Sequence, residues 1–207
     1  KNRIVLFRPN KNIERAILSA ERLRIPIVPS DLFMDGLLKV VKDNSEYIPP
    51  SDKGSLYIRP IIWGTGAVLG VAPAPSYTFI IYVSPVGPYF KSGIRCLNLR
   101  VTNKYHRAAP CGVGGYKTIG NYAASLYPQK LAKSSGFDEV IYLNARDNES
   151  IEEVGSANLF IVKDKTVSTP PLGGSILPGV TRDSVIHISR EILGLDVEER
   201  PISLSEM

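Results

Sequence analysis

Apolar residues fall in short blocks along the chain, and their period changes from block to block. Arg3-Ile4-Val5-Leu6-Phe7 reads as a strand. A turn-rich stretch, Arg8-Pro9-Asn10-Lys11-Asn12, follows it. Ile13, Ala16, Ile17, Ala20 and Leu23 then recur at helical spacing, with Asn12 as the N-cap. Ser30-Asp31 opens a second helix that turns Leu32, Phe33, Leu37, Leu38 and Val41 inward. Residues 47–54 form a proline-containing loop. Strands follow over 55–63 and 77–84, around a loop rich in Gly, Ala and Pro over 64–75.

Turn residues cluster in Pro85-Val86-Gly87-Pro88-Tyr89-Phe90-Lys91-Ser92-Gly93, which reads as a connector between domains. Beyond it the pattern predicts a strand over 96–101, a glycine-rich loop over 105–116 and a helix over 121–134 kinked at Pro128. Strands are expected over 139–144, 151–154, 158–163 and 167–170. A glycine-rich loop over 172–179 leads into a helix over 181–193, and residues 197–204 read as a strand leading into another element. The expected class is α/β (α+β): a first domain over 1–85, a connector over 86–93 and a second domain over 94–207, with a site between domains.

Composition narrows the function classes. With 43% hydrophobic residues and 22% charged, the 207-residue chain has enough apolar content for a core and is not a disordered segment. No run approaches the roughly 18 apolar residues of a membrane span. The formal net charge is +5, but Lys and Arg are interspersed with acids, which suits a plain basic surface better than a nucleic-acid face. Cys96 and Cys111 form no C-x-x-C pair and fit a reducing, intracellular setting. His106 and His187 lie far apart with no paired acid motif, so neither a catalytic triad nor a metal site is expected. No targeting peptide is expected ahead of the first block, and both ends read as cut from something longer.

Four places could carry chemistry. Gly112-Val113-Gly114-Gly115-Tyr116-Lys117-Thr118 brings backbone close to a ligand and sets a lysine beside it. Lys117 is then a phosphate-gripping cation or a Schiff-base nucleophile, against the alternative of an ordinary surface turn. The spacing is not that of a Walker A loop. Ile176-Leu177-Pro178-Gly179-Val180-Thr181-Arg182 opens a helix whose first amides suit a phosphate, unless it is simply a capped helix. Glu152-Glu153 ends a strand, where a carboxylate can face a protonated ring nitrogen or merely solvent. Tyr57 and Arg59, two apart on a strand, share a face from which Arg59 can take a carboxylate or merely pack.

Taken together, these segments resemble the branched-chain amino acid aminotransferases, fold-type IV pyridoxal-phosphate enzymes, and above all the plant-like members. The further matching pieces are Leu6-Phe7-Arg8-Pro9-Asn10, Gly54-Ser55-Leu56-Tyr57-Ile58-Arg59-Pro60 and Leu69-Gly70-Val71-Ala72-Pro73-Ala74-Pro75, then Ser84 to Phe90. In the second half they are Gly114 to Tyr122, Glu152 to Phe160 and Ile176 to Arg182, all in the family's order.

The resemblance implies a two-domain fold with a small α/β domain and a barrel-like second domain, both incomplete. It implies pyridoxal 5'-phosphate as cofactor and no metal. Lys117 becomes the Schiff-base lysine and Tyr122 the partner of the ring O3'. Glu153 pairs with the pyridine nitrogen, while Arg8, the amides of Val180 and Thr181 and the Thr181 hydroxyl hold the phosphate. Tyr57, Arg59 and Tyr89 become substrate-side residues.

The implied reaction is transfer of the amino group of leucine, isoleucine or valine to 2-oxoglutarate by a homodimer that binds neither nucleic acid nor membrane. Its place is intracellular: cytoplasmic by default, with a plastid or mitochondrion the other options. The alternatives are a truncated homologue that only binds cofactor or is inactive, a D-amino acid aminotransferase and an aminodeoxychorismate lyase. The chain departs from the family pattern at Cys111, Tyr116 and Pro128. It also lacks an N-terminal segment expected to pair with the first strand, and a later Gly-Thr-Ala-type turn.

Overall fold

The computed structural model describes residues 3–88 and 95–207, and the chain divides into two compact units, Lys1–Cys96 and Leu97–Met207. Tyr89 lies outside the described residues.

In the first unit, α1 spans Pro9–Arg22 and α2 spans Ser30–Asp43. Proline at the first position of α1 suits a helix start, since its missing N–H would have no intrahelical partner. The helix therefore begins before Asn12, whose side-chain amide instead donates to the Arg8 carbonyl at 3.0 Å. Asp31 and Lys42 sit at the ends of α2 that their charges favour. Strands β1 (Ser55–Gly64) and β2 (Tyr77–Val86) pair antiparallel from Ser55↔Val86 to Gly64↔Tyr77. Ile13, Phe33 and Leu37 form the core, with Phe79 and Ile81 of β2 against it. The rings of Phe33 and Phe79 are tilted at 4.9 Å. Leu32 and Leu38, expected inward, are exposed, so the buried stripe of α2 is the narrower Phe33, Leu37 and Val41.

Residues 3–7 do not form the expected strand. Ile4, Val5 and Phe7 are exposed, and a lone strand with no neighbour has nothing to satisfy its backbone.

In the second unit, β3 (Leu99–Thr102) runs parallel to β4 (Glu139–Leu143), with α3 (Ile119–Ser134) as the crossover. Pro128 lies inside α3 and is buried. Strands β5 (Ile151–Val154) and β6 (Ala157–Asn158) complete an open sheet of order β3-β4-β5-β6. A second sheet joins β7 (Ile161–Lys163), β8 (Thr166–Thr169) and β9 (Asp196–Glu199). Helix α4 (Val180–His187), continued by a π-helical turn over Ile188–Ile192, connects β8 to β9.

Strand β4 is buried on both faces, which explains its unbroken apolar run. Val140 and Tyr142 pack with Ala132 of α3, whereas Ile141 and Leu143 pack with Ile151 and Ile202. A register shift between Tyr142 and Leu143 places Tyr142 opposite Glu153 and Leu143 opposite Ile151, so Glu152 bulges from the ladder. The mixed α/β class is the one expected. Neither sheet closes into a barrel among the described residues.

Candidate active site

The second unit builds the site from three segments: the loop before α3, the β5–β6 hairpin and the loop before α4. Lys117 sits in the last stretch of loop before α3, and Tyr122 lies in the first turn of that helix. Five residues of loop and helix return the phenol to the amine: Lys117 Nζ donates to Tyr122 Oη at 2.8 Å and lies 5.3 Å from the ring centroid. Asn121 fixes this geometry. Its buried side-chain amide donates to the carbonyls of Val113 and Tyr116, both at 2.8 Å, and so pins the loop to the helix. The other side of the loop lies against residues 174–175. The Gly115 N–H donates to the Gly174 carbonyl at 2.8 Å. A Cβ on Gly114 would stand 2.3 Å from the Ser175 carbonyl oxygen, so only glycine permits this approach.

Glu153 is 2% exposed. Arg107 Nη2 lies 2.5 Å from its Oε2, Asn158 Nδ2 donates to its Oε1 at 2.8 Å, and the backbone N–H of Leu177 adds a third hydrogen bond. Burial pushes its carboxyl up to about 7, against the lowering effects of Arg107, Leu177 and Lys117. Its neighbour Glu152 is equally buried. It accepts hydrogen bonds from Ser175 and from Asn144, and burial raises its carboxyl as well.

Asn158 reaches across to the third segment, donating to the Leu177 carbonyl at 3.0 Å. That loop ends at Gly179, the N-cap of α4, where Val180 is buried and Thr181 exposed. The α4 turn is anchored by buried Arg182, which donates to the Pro170 carbonyl at 2.9 Å and pairs with Glu199 at 2.8 Å.

The structure thus gathers Lys117, Tyr122 and Glu153 in one unit, with Val180 and Thr181 on the helix that follows Leu177. Arg8, Tyr57 and Arg59 belong to the first unit. Arg8 stands at the start of α1 with a left-handed backbone, φ 45°. On β1, Arg59 Nη2 donates to Tyr57 Oη at 3.2 Å, and its guanidinium lies 5.1 Å from the Tyr57 ring centroid, so the two do share a face. No sequence pattern singles out Arg107, Asn144 or Ser175, and Asn158 serves there only as a landmark.

A helix start, a lysine–phenol pair and a buried carboxylate thus lie on one mixed α/β scaffold. The family model for amino-transferase class IV matches residues 1–207, and the chain belongs to that family. It is 52% identical over 206 residues to the chloroplastic branched-chain-amino-acid aminotransferase 3 of Arabidopsis thaliana, covering 100% of this chain and 50% of that relative. Among solved structures, the Escherichia coli branched-chain amino acid aminotransferase superposes with a TM-score of 0.84 at 33% identity, over 97% of this chain and 64% of that one. The T.th. branched-chain amino acid aminotransferase with pyridoxamine 5'-phosphate gives 0.81 at 28% identity, over 97% and 64%. The chain spans about half the length of the curated relatives it matches.

The residues present fit a pyridoxal group. Glu153 is a buried carboxylate that Arg107 alone does not bring back to its ordinary ionisation, so a second cation such as a protonated ring nitrogen would be stabilised beside it. The amine–phenol pair of Lys117 and Tyr122 supplies a nucleophile and a hydrogen-bonding hydroxyl. Among the described residues no cluster of three or more His, Cys, Asp or Glu could hold a metal ion. No helix there is long and apolar enough to cross a membrane.

Proposed function

We propose that the chain acts in pyridoxal 5'-phosphate-dependent transamination of branched-chain L-amino acids, with 2-oxoglutarate as the second substrate. The observation that carries this reading is the Lys117–Tyr122 pair in the same unit as the buried, Arg107-held Glu153. The names of the similar plant and bacterial proteins support the substrate class.

When bound, the cofactor supplies an aldehyde carbon for the amino group and a ring that accepts electrons. Lys117 Nζ binds it and afterwards holds or releases a proton at that nitrogen. Tyr122 Oη steadies Nζ and hydrogen-bonds the ring hydroxyl. Glu153, kept ionised by a cationic ring nitrogen, holds that nitrogen's proton in place.

The phosphate falls to the amides of Val180 and Thr181, the Thr181 hydroxyl and Arg8. Tyr57, Arg59 and Tyr89 take the substrate side, where Arg59 suits an α-carboxylate or the side-chain carboxylate of glutamate. In this reading residues 1–85 are the small domain, 86–93 the connector and 94–207 the cofactor domain. The working form is a homodimer, and the compartment is a plastid or mitochondrion, as the chloroplastic and mitochondrial names of similar Arabidopsis proteins suggest.

The test is an absorbance titration with pyridoxal phosphate together with a leucine/2-oxoglutarate assay. Lys117→Ala is expected to lose both the long-wavelength band and at least about a hundredfold of turnover, since removal of a positioned acid–base group costs that much. A Lys117→Ala chain that transaminates normally refutes the assignment. A band with no turnover on any amino acid favours a cofactor-binding protein, and turnover with D-alanine alone favours a D-amino acid aminotransferase.

A further inference from the structure

Arg107 has no part in the roles above, yet it is one of the most enclosed cations in the second unit: its side chain is 6% exposed and that of Glu153 3%. Its Nη2 meets Glu153 Oε2 at 2.5 Å, Gly114 O at 3.5 Å and the carbonyl of Ser175. These acceptors belong to three separate segments. Glu153 is on β5, Gly114 lies three residues before Lys117, and Ser175 lies two residues before Leu177, whose N–H also reaches Glu153. Asn158 holds the opposite carboxylate oxygen, so both oxygens of Glu153 are fixed and the plane of the group is set.

We propose that Arg107 is a positioning residue: its guanidinium orients the Glu153 carboxylate toward the ring-nitrogen site and locks it to the loop that carries Lys117. The role of Glu153 rests on the function proposed above, but the coupling of Arg107 to Glu153 does not. A buried cation that also binds two backbone carbonyls cannot drift away from its partner, so amine and carboxylate move as one body. The charged and titratable groups that bear on Glu153 are Arg107 and Lys117 from the glycine-rich loop and Glu152 from its own strand. From β4, Tyr142 lies opposite Glu153, and Glu139 acts on Tyr142. Arg107 is the largest of the influences favouring the ionised carboxylate.

The test is a carbon-13 NMR titration of the glutamate carboxyls in the full chain without cofactor, with Glu153→Gln to assign the resonance. Arg107→Gln is expected to raise the Glu153 midpoint by about one pH unit or more, a tenfold change in proton affinity. It should also speed hydrogen exchange at the Gly115 amide about tenfold as the loop contact is lost. Arg107→Lys keeps the charge without the planar guanidinium whose Nη2 reaches all three acceptors, and should restore the midpoint while leaving Gly115 exchange fast. An unchanged midpoint in a folded Arg107→Gln chain overturns the proposal, as does an equal shift in both variants. If Arg107→Gln does not fold, Arg107→Lys decides through the loop: an unchanged midpoint with fast Gly115 exchange supports the proposal, unaltered Gly115 exchange overturns it, and failure of both variants to fold makes Arg107 a purely architectural residue and overturns it too. A wild-type chain that gives no band with pyridoxal phosphate refutes the proposed function but leaves the titration result standing.

Discussion

Glu153 makes the cofactor-free fold sensitive to pH. Its carboxyl rises from an ordinary 4.5 to about 7 because burial outweighs Arg107, the Leu177 amide and Lys117. A group whose folded value lies above its unfolded one holds its proton more tightly in the fold. The stability it contributes is complete below about 4.5 and is lost as pH rises through about 7. Glu152 is shifted the same way by burial. Urea unfolding of the cofactor-free chain is expected to show stability falling by up to about 3 kcal/mol between pH 5 and 8. Glu153→Gln should flatten most of that slope, and a slope of opposite sign contradicts the assignment. Glu153 is legible as one of two paired glutamates and through the resemblance carried by Glu152 to Phe160. Arg107 is not, because its meaning comes from a contact made 46 positions along the chain, and no local period marks such a residue.

Helices and strands are legible wherever one face meets a core close in sequence. Helix α2 and strands β1 and β2 follow as elements from their patterns, although Leu32 and Leu38 fall outside the buried stripe. Residues 3–7 depart from their expected strand because an apolar run is a strand only when a neighbour pairs with it. The segment after β9 shows the converse. Ile202 is fully enclosed with Ile141, Leu143 and Ile151, and the Ile151 N–H donates to its carbonyl at 2.8 Å. The final stretch is therefore part of the core beneath β5. Ile202→Ala is expected to cost about 2–5 kcal/mol in chemical denaturation, and a loss below about 1 kcal/mol would show that this segment is only draped over the surface. Gly114→Ala should be harmful for a steric reason, since its methyl group collides with Ser175 O and the Ala108 methyl. Loss of about 1–3 kcal/mol together with weaker cofactor binding is the expected result.

The residues of the proposed function divide between the two compact units: Arg8, Tyr57 and Arg59 fall in the first, and Lys117, Tyr122, Glu153, Val180 and Thr181 in the second. Only the second half of that division has geometry behind it, because Lys117, Tyr122 and Glu153 are joined by hydrogen bonds and charge within one unit. The order of motifs makes the family legible across the whole chain, and the family match covers the same residues. Ile119, Leu126 and Tyr127 along α3 are exposed apolar side chains, and the proposed homodimer is tested by its mass. Light scattering is expected to give twice the 22.7 kDa of one chain. A monomer mass at micromolar concentration counts against the dimer and leaves the cofactor assignment untouched.

The bulge at Glu152 decides which of two identical side chains stands opposite Tyr142. Consecutive glutamates are interchangeable by composition, and a ladder slipped by one residue would present Glu152 where Glu153 now stands. Glu152 Oε1 is tied to Ser175 and Asn144, so Glu152 is not expected to rescue a Glu153→Gln chain. A change of protein backbone by one position, with no change of amino acid, would do to this site what a point mutation does.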